Sequence, residues 1–152
     1  MLNRDFAEII SAFNAERVEY LVVGAYALAV HGLPRATGDI DLWVRPTKEN
    51  AERVWRALVH FGAPLDRLSL DDFSNADVFV RFGTVPNRID IHTSILGLAF
   101  DAAYAARITP SLDGVVLPTV ARQHLIQSKR AAGRPQDLAD VSRLEAQGNP
   151  AP

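Results

Sequence analysis

The sequence predicts a single α+β domain in which short apolar strands and amphipathic helices share one core. Three observations support this class. A short apolar run over residues 20–23 ends at a glycine and leads into a helical segment, which is the pattern of a strand, a turn and a helix. A second apolar run contains an Asp-Ile-Asp triplet, and residues 77–94 have the alternation of a β-hairpin. The 152 residues, 48% of them hydrophobic and 22% charged, are enough for one domain with a substantial core.

The amino-terminal half is predicted to contain three helices and two strands. Apolar residues recur at helical spacing in the first and third helices, which makes both amphipathic. Thr47 is suited to cap the start of the third helix, while Gly32 and Pro34 end the second. In order, these elements are helix 5–17, strand 20–23, helix 24–30, strand 40–44 and helix 48–61.

The carboxyl-terminal half is predicted to contain the hairpin, one more strand and three helices. Proline at position 135 suits the first turn of the last helix, and Gly133 separates that helix from the one before it. In order, these elements are strands 77–82 and 88–94 joined by a five-residue loop at 83–87, helix 98–107, strand 114–117 and helices 120–132 and 135–147. We expect one domain over residues 1–148, with a helical pair at 119–147 and a frayed tail at 149–152.

The composition excludes several classes of function. The chain has no cysteine, which excludes disulfides, thiolate catalysis and thiolate metal sites. Its formal net charge of −2 gives no positive field for nucleic acid or an anionic membrane, so we expect no binding of bulk duplex DNA. The amino terminus does not resemble a signal peptide, and the longest apolar run is too short to cross a membrane. We therefore expect a cytoplasmic protein that does not bind membranes.

The glycine turn and the Asp-Ile-Asp triplet together predict a site for a nucleotide and its metal. Gly24 and Ala25 stand where the first strand meets its helix, and the backbone N–H groups at a helix start can bind an anion. Side chains alternate between the faces of a strand, so Asp39 and Asp41 share one face and Ile40 lies on the other. Two like charges so close are most easily explained by a cation or solvent between them. The combination suits a nucleoside triphosphate with its magnesium.

The second strand of the hairpin offers a third carboxylate. Asp90 and His92 share one face of this strand, opposite two isoleucines. If this strand lies beside the first carboxylate strand, Asp90 joins Asp39 and Asp41, and the three can hold two Mg²⁺ ions. One ion would bind the triphosphate and the other would activate an attacking hydroxyl, which Asp90 would polarise or deprotonate. His92 can contact a substrate, orient Asp90 or simply be a polar residue at an open edge.

These residues resemble the signature of the DNA polymerase β-like nucleotidyltransferase superfamily. The signature has a hydrophobic residue and Gly followed by Gly or Ser, then two acids on one strand and a third acid on a later strand. The matching residues here are Gly24-Ala25, Asp39-Ile40-Asp41 and Asp90. More closely, residues 23–42 and 125–141 are similar to the minimal nucleotidyltransferases that include the AbiEii-type toxins of abortive-infection and toxin–antitoxin systems.

The resemblance implies a mixed, mostly antiparallel central sheet with helices on one side and a carboxyl-terminal helical pair. It also implies transfer of a nucleoside monophosphate with release of pyrophosphate, dependent on Mg²⁺ or Mn²⁺. Asp39, Asp41 and Asp90 would be the metal ligands and catalytic residues, and Gly24 with the Ala25 amide would face the triphosphate. The family's second turn residue is usually Gly or Ser, so Ala25 leaves only a backbone N–H for the phosphates.

Three further residues are candidates for nucleotide binding. Arg35 can meet phosphate oxygens or pair with Asp39 or Asp41, and Thr37 lies between it and those acids. Lys129 can reach a triphosphate as a point charge or be a solvated helical lysine. Three charged residues near the start of the last helix are expected to form ion pairs that fix the last two helices. They are Arg134, Asp137 and Asp140, and of these Arg134 is the one that can also touch nucleotide.

The sequence leaves three functions open. The first is an enzyme that transfers NMP from an NTP to a hydroxyl on a protein, a tRNA or a small molecule, which in a toxin setting would act beside a cognate antitoxin. The second is an enzyme of the same chemistry that inactivates lincosamide or aminoglycoside antibiotics. The third is a non-catalytic module that binds nucleotide or a partner, which is motivated by Ala25.

Overall fold

The structure is a computed structural model and describes residues 2–84 and 86–147. Within these residues six helices and six strands follow one another, with a 3₁₀ turn at Leu70–Ser74. The elements of the first half are α1 (Arg4–Ala15), β1 (Tyr20–Val23), α2 (Gly24–Val30), β2 (Asp39–Val44) and α3 (Lys48–Phe61). Those of the second half are β3 (Phe79–Thr84), β4 (Asn87–His92), α4 (Phe100–Ala105), β5 (Ser111–Leu112), β6 (Val115–Val116), α5 (Arg122–Ala132) and α6 (Pro135–Ala146).

Four strands form the central sheet, in the order β1-β2-β4-β3. The pairs β1–β2 and β3–β4 are antiparallel, whereas β2 and β4 run parallel. A parallel pair requires a long crossover connection, which α3 and the segment up to β3 provide here. The sheet is therefore mixed and mostly antiparallel, as predicted. The strands β5 and β6 form a separate two-stranded hairpin.

One face of the sheet is covered along its whole width by helices. Alternate residues of β2, β3 and β4 point to this face and pack against α1, α3 and the 3₁₀ turn. They are Ile40, Leu42, Val80, Phe82, Ile89 and Ile91, all buried. Because Ile40 and Ile89 are fixed in this core, the residues on either side of them must point to the opposite face.

The opposite face is covered only in part. Leu21, Val23 and Trp43 pack there against α2, α4 and the pair α5–α6. Beyond Trp43 the residues of β2 and β4 that point to this face are charged or polar, and two of them, Asp41 and His92, line a cleft that the helices leave open. The open half of this face is where the predicted carboxylates lie.

Local signals account for most of the observed helix ends. The Thr47 hydroxyl accepts a hydrogen bond from the Asn50 N–H at 3.2 Å, which confirms Thr47 as the N-cap of α3. Gly62 ends that helix in the left-handed conformation at φ 90°, and Gly133 ends α5 in the same way at φ 67°. None of the helices in residues 2–84 and 86–147 has the length and hydrophobicity needed to cross a bilayer.

The hairpin differs from the prediction. A five-residue loop at 83–87 is wrong, because Gly83 and Thr84 still belong to β3 and Thr84 pairs with Asn87 of β4. Gly83 adopts φ 85°, where a side chain would be strained, so the glycine that suggested a loop instead bends the end of a strand. The 3₁₀ turn and β5 were not predicted, and α4 is shorter than expected. The predicted tail at 149–152 lies outside the described residues.

Candidate active site

The three predicted carboxylates lie together on the open face of the sheet. Asp39 and Asp41 are alternate residues of β2, and Asp90 of β4 is the in-register neighbour of Asp41. In a parallel pair, residues in register point to the same face, so all three side chains lie opposite the isoleucine core. Asp90 is buried, whereas Asp39 and Asp41 are partly exposed. The placement of Asp90 beside Asp41 is the one that the strand pattern predicts.

Each of these carboxylates contacts a basic side chain. Arg88 donates to both oxygens of Asp39, from Nε to Oδ1 and from Nη2 to Oδ2, each at 3.0 Å. Arg81 donates in the same way to Asp90, at 2.8 and 3.0 Å. The His92 Nε2 lies 2.8 Å from Asp41 Oδ1. Over the described ranges, no three His, Asp or Glu side chains are arranged around a common point that could hold a metal ion.

The two arginines were not identified from the sequence, although a signal for them exists. Arg88 stands two residues before Asp90, so strand alternation puts both on the open face. Arg88 is also in register with Asp39, and Arg81 with Asp90, so each pair is a direct cross-strand neighbour. The alternation could have placed Arg88, whereas the partner of Asp90 depends on the register of the hairpin.

The ion pairs shift the pKa values of Asp39 and Arg81. Hydrogen bonds from Arg88 hold the pKa of the Asp39 carboxyl below its ordinary value, against the opposing effect of burial. The hydrogen bond to Asp90 raises the pKa of the Arg81 guanidinium. Asp39 and Arg81 are therefore charged throughout the neutral pH range.

The glycine turn lies directly against Asp41. Val23 is in register with Asp41, and Gly24 follows at φ 70°, in the left-handed region that favours glycine. A Cβ atom at position 24 would collide with Asp41 Oδ2. The turn that begins α2 and the carboxylate of β2 are thus packed so tightly that position 24 tolerates no side chain. Ala25 follows in the first turn of α2, partly buried.

A cleft of about 230 Å³ opens beside this contact. Gly24, Asp41 and His92 line it from the sheet, and the helical pair lines it from the other side. The lining residues of the helical pair include Ser128, Lys129, Arg134 and Asp137. The cleft therefore has one carboxylate, Asp41, on the wall formed by the sheet, and the basic side chains of Lys129 and Arg134 together with Asp137 on the wall formed by the helical pair. Basic side chains opposite a carboxylate are a charge distribution that can hold a phosphate ester next to a cation.

Lys129 and Arg35 are joined through one buried acid of α6. The Lys129 Nζ lies 2.9 Å from Asp140 Oδ2 and 3.8 Å from Asp137 Oδ1. The Arg35 Nη2 donates to Asp140 Oδ1 at 2.5 Å. The predicted alternative in which Arg35 pairs with Asp39 or Asp41 is wrong, because Arg35 pairs with Asp140, and Arg88 and His92 contact Asp39 and Asp41 instead. Lys129 lines the cleft, whereas Arg35 lies on the far side of Asp140.

Thr37 forms a hydrogen bond with the backbone at the start of β2. Its hydroxyl accepts a hydrogen bond from the Asp39 N–H at 3.2 Å and lies 3.3 Å from the Asp39 carbonyl oxygen. This local bond fixes the residue that begins the carboxylate strand. Thr37 is exposed, and in this structure its contacts are to the chain itself.

The ion pairs of Lys129 with Asp137 and Asp140 join α5 to α6, which confirms the expectation that these acids fix the last two helices. Burial raises the pKa of Asp140, but hydrogen bonds from Arg35 and Lys129 outweigh it, and the pKa lies below its ordinary value. The pKa of Asp137 is lowered as well, mainly by the hydrogen bond from Arg134. Lys129 of α5 thus connects to α6 through Asp140, and the chain of charges continues to the loop before β2.

We expect this network to make the fold acid-sensitive. Because both acids have lowered pKa values in the folded state, the unfolded chain binds more protons as the pH falls, and stability is lost as the pH drops below about 4. Asp140→Asn should lower the free energy of unfolding at pH 7 by about 3 kcal/mol, since Arg35 and Lys129 lose a buried partner. It should also make the loss of stability with acid shallower.

Urea unfolding between pH 3 and pH 7 measures both effects. Asp66→Asn is the matched control, because Asp66 is exposed and distant from the network. Equal acid dependence in wild type and Asp140→Asn would contradict the assignment of this stability to Asp140.

The architecture is that of the nucleotidyltransferase fold. A presumed nucleotidyltransferase from Thermotoga maritima is similar to this chain with a TM-score of 0.63 and 17% sequence identity, over 95% of this chain and 92% of that one. The lincosamide antibiotic adenylyltransferase LnuA, solved with lincomycin bound, matches with a TM-score of 0.59 and 13% identity, over 96% and 98%. The sequence itself matches no protein-family model and no curated protein.

A third solved structure has the same fold. The antibiotic-resistance factor ANT(2'')-Ia matches with a TM-score of 0.59 and 13% identity, over 95% of this chain and 83% of that one. At these identities the similarity establishes the shared fold, which the four-stranded sheet and the surrounding helices define.

Proposed function

We propose that this protein is a nucleotidyltransferase that moves a nucleoside monophosphate from an NTP to a hydroxyl group of an acceptor. One observation carries the proposal: three carboxylates share the open face of the sheet, and one of them, Asp41, lies against the glycine turn in a cleft whose other wall carries Lys129 and Arg134. The fold is shared with a solved adenylyltransferase, which supports the same chemistry.

The carboxylates suit a divalent metal by their chemistry. Mg²⁺ prefers carboxylate oxygens and keeps several waters, so two partly exposed aspartates beside a cleft are a fitting ligand set. Asp39 and Asp41 would hold the ion, and Mn²⁺ would bind the same ligands. When bound, the metal neutralises charge on the phosphates and orients them. Asp90 is the third carboxylate, one strand away from Asp41.

The chain's own residues position the reactants. The backbone N–H groups at Gly24 and Ala25 face the triphosphate, and Lys129 with Arg134 balances its charge from the opposite wall of the cleft. Arg35 and Thr37 support these groups through Asp140 and the start of β2. The acceptor oxygen attacks the α-phosphorus, and the bond between the α-phosphorus and the oxygen that bridges it to the β-phosphate breaks. Pyrophosphate leaves with the electron pair of that bond and the negative charge. Asp90 polarises the acceptor hydroxyl, whose proton passes to solvent water as the bond to phosphorus forms.

The acceptor has two candidate classes. The resemblance to AbiEii-type toxins favours a hydroxyl of a tRNA or a protein, with a cognate antitoxin as the partner that restrains the enzyme. The solved neighbours favour a small molecule instead, because one is an adenylyltransferase solved with lincomycin and another is an antibiotic-resistance factor. A non-catalytic nucleotide-binding module is the third candidate, favoured by Ala25 and by the arginines that already neutralise two carboxylates.

Transfer of label from α-³²P NTPs tests the proposal. Each of the four NTPs is incubated with the protein, Mg²⁺ or Mn²⁺, and one acceptor pool: total tRNA, cell protein, a lincosamide or an aminoglycoside. We expect one pool to gain label in the presence of metal and to gain none with EDTA. Metal-dependent NTP binding without transfer to any pool would favour the binding module. If calorimetry also detected no NTP binding, both forms of the proposal would be excluded.

A further inference from the structure

The two arginine pairs of the carboxylate cluster differ in how deeply they are buried. The side chains of Arg88 and Asp39 are 29% and 28% exposed. In the other pair, Arg81 is 42% exposed but Asp90 only 5%. Both pairs are bidentate and span neighbouring strands, so their geometry is alike and burial is what distinguishes them.

Burial decides which pair can open. A partly exposed ion pair contributes little to stability, so solvent or another cation can replace the guanidinium of Arg88 at little cost. Removing the partner from a buried carboxylate costs several times more, because the remaining charge is no longer compensated. Asp39 can therefore exchange its counter-ion, whereas Asp90 must keep Arg81.

One carboxylate oxygen of the cluster contacts no arginine or histidine among the described residues. Four of the six oxygens accept hydrogen bonds from Arg88 or Arg81, and Asp41 Oδ1 contacts His92. Asp41 Oδ2 accepts no hydrogen bond from any described residue. It faces Gly24, at the position where a Cβ would collide, and Asp41 lines the cleft. Asp41 is thus the carboxylate that can bind a metal without first losing an arginine.

We propose that Arg88 and Arg81 divide the three carboxylates into two kinds. Asp41 and Asp39 form the metal site, with Arg88 as the counter-ion that the metal displaces from Asp39, and Arg81 holds Asp90 out of the metal's coordination. Both arginines are positioning residues that act through the carboxylates. The inference rests on the proposed nucleotidyltransferase function and departs from a site in which all three acids bind metal.

Alternation along β2 makes this pair of ligands geometrically reasonable. Asp39 and Asp41 lie two residues apart on one face, about 7 Å between their Cα atoms, a span that two carboxylates can close around one ion. Asp90 is nearer to Asp41 across the sheet, but both of its oxygens are directed to Arg81 on the edge strand. Asp39 and Asp41 would then hold a single ion, and Thr37 fixes the end of β2 that carries Asp39.

Mn²⁺ titration of the free protein, followed by electron paramagnetic resonance without nucleotide or acceptor, tests the inference. Arg88→Met should raise the affinity for Mn²⁺ about three- to tenfold, because the competing charge is removed. Asp41→Asn should lower it by at least about tenfold. The double variant Arg81→Met with Asp90→Asn removes the buried pair as a unit and should leave the affinity within about twofold of wild type.

Arg56→Met is the control for the change in net charge. Arg56 is an exposed residue of α3, paired with Glu16 on the far side of the sheet, and its loss should leave Mn²⁺ binding unchanged. An unchanged or weakened affinity in Arg88→Met would overturn the inference. So would a double variant that binds Mn²⁺ as poorly as Asp41→Asn, since Asp90 would then be a ligand. Because no transfer is measured, an inactive wild type that shows the expected affinities contradicts the proposed function alone.

Discussion

Asp41→Asn is expected to lower the rate of nucleotidyl transfer by at least about a thousandfold, which corresponds to about 4 kcal/mol of lost transition-state stabilisation. Asp41 contacts the glycine turn, lines the cleft and keeps one oxygen without a hydrogen bond from the described residues. The amide has nearly the same shape as the carboxylate, so packing against Gly24 is retained while the negative charge is lost. The measurement is the initial rate of label transfer at saturating NTP and metal.

Two further variants provide rates with which the rate of Asp41→Asn can be compared. Asp39→Asn should also reduce transfer strongly, but by less than Asp41→Asn, because Arg88 already neutralises Asp39 in the free protein. Glu52→Gln changes an exposed acid of α3 on the other side of the sheet and should leave the rate within twofold of wild type. If Asp41→Asn kept more than a tenth of the wild-type rate, Asp41 would not be a catalytic ligand.

Gly24→Ala should both destabilise the fold and strongly reduce the proposed transfer activity. At φ 70° an alanine is strained by about 1–2 kcal/mol, and its Cβ would also displace Asp41 Oδ2. We expect a total loss of about 3 kcal/mol in the free energy of unfolding and at least a hundredfold fall in transfer rate, since a small displacement of a catalytic group is costly.

The matched control is Gly62→Ala. Gly62 has φ 90°, and an added Cβ there would meet no atom of the described chain within 4 Å. It therefore carries the same backbone strain without a collision, and its cost should be about 1–2 kcal/mol with no loss of activity. Subtracting the two unfolding energies isolates the contact with Asp41. Equal stabilities and equal rates for the two variants would show that the glycine turn does not position Asp41.

Local patterns predicted the elements that frame the site. The bounds of β1, α2 and α3 match their predictions because each has a clear apolar run and a turn or cap at its ends. The common face of Asp39, Asp41 and Asp90 could also be predicted, since alternation is a local property of a strand. The fold class needed only these elements and their order.

The partners of the charged groups could not be predicted in the same way. Arg35 and Asp140 are separated by 105 positions in the sequence, and their contact depends on how α6 docks on the loop before β2. The pairing of Arg81 with Asp90 depends on a hairpin register that the sequence suggested wrongly, because Gly83 was interpreted as part of a loop. Contacts that arise from register and docking are set by the whole core and leave no short-range pattern.

The ion pairs around Asp140 give the helical pair a second role. Lys129 is shared: it holds α6 through Asp140, and it is also the lysine that faces the cleft. A triphosphate that draws Lys129 toward itself leaves Asp140 with Arg35 as its remaining cationic partner. A nucleotide in the cleft would thereby weaken the ion pair that joins α5 to α6. The mobility of the carboxyl-terminal helices would then differ between the free and the nucleotide-bound protein.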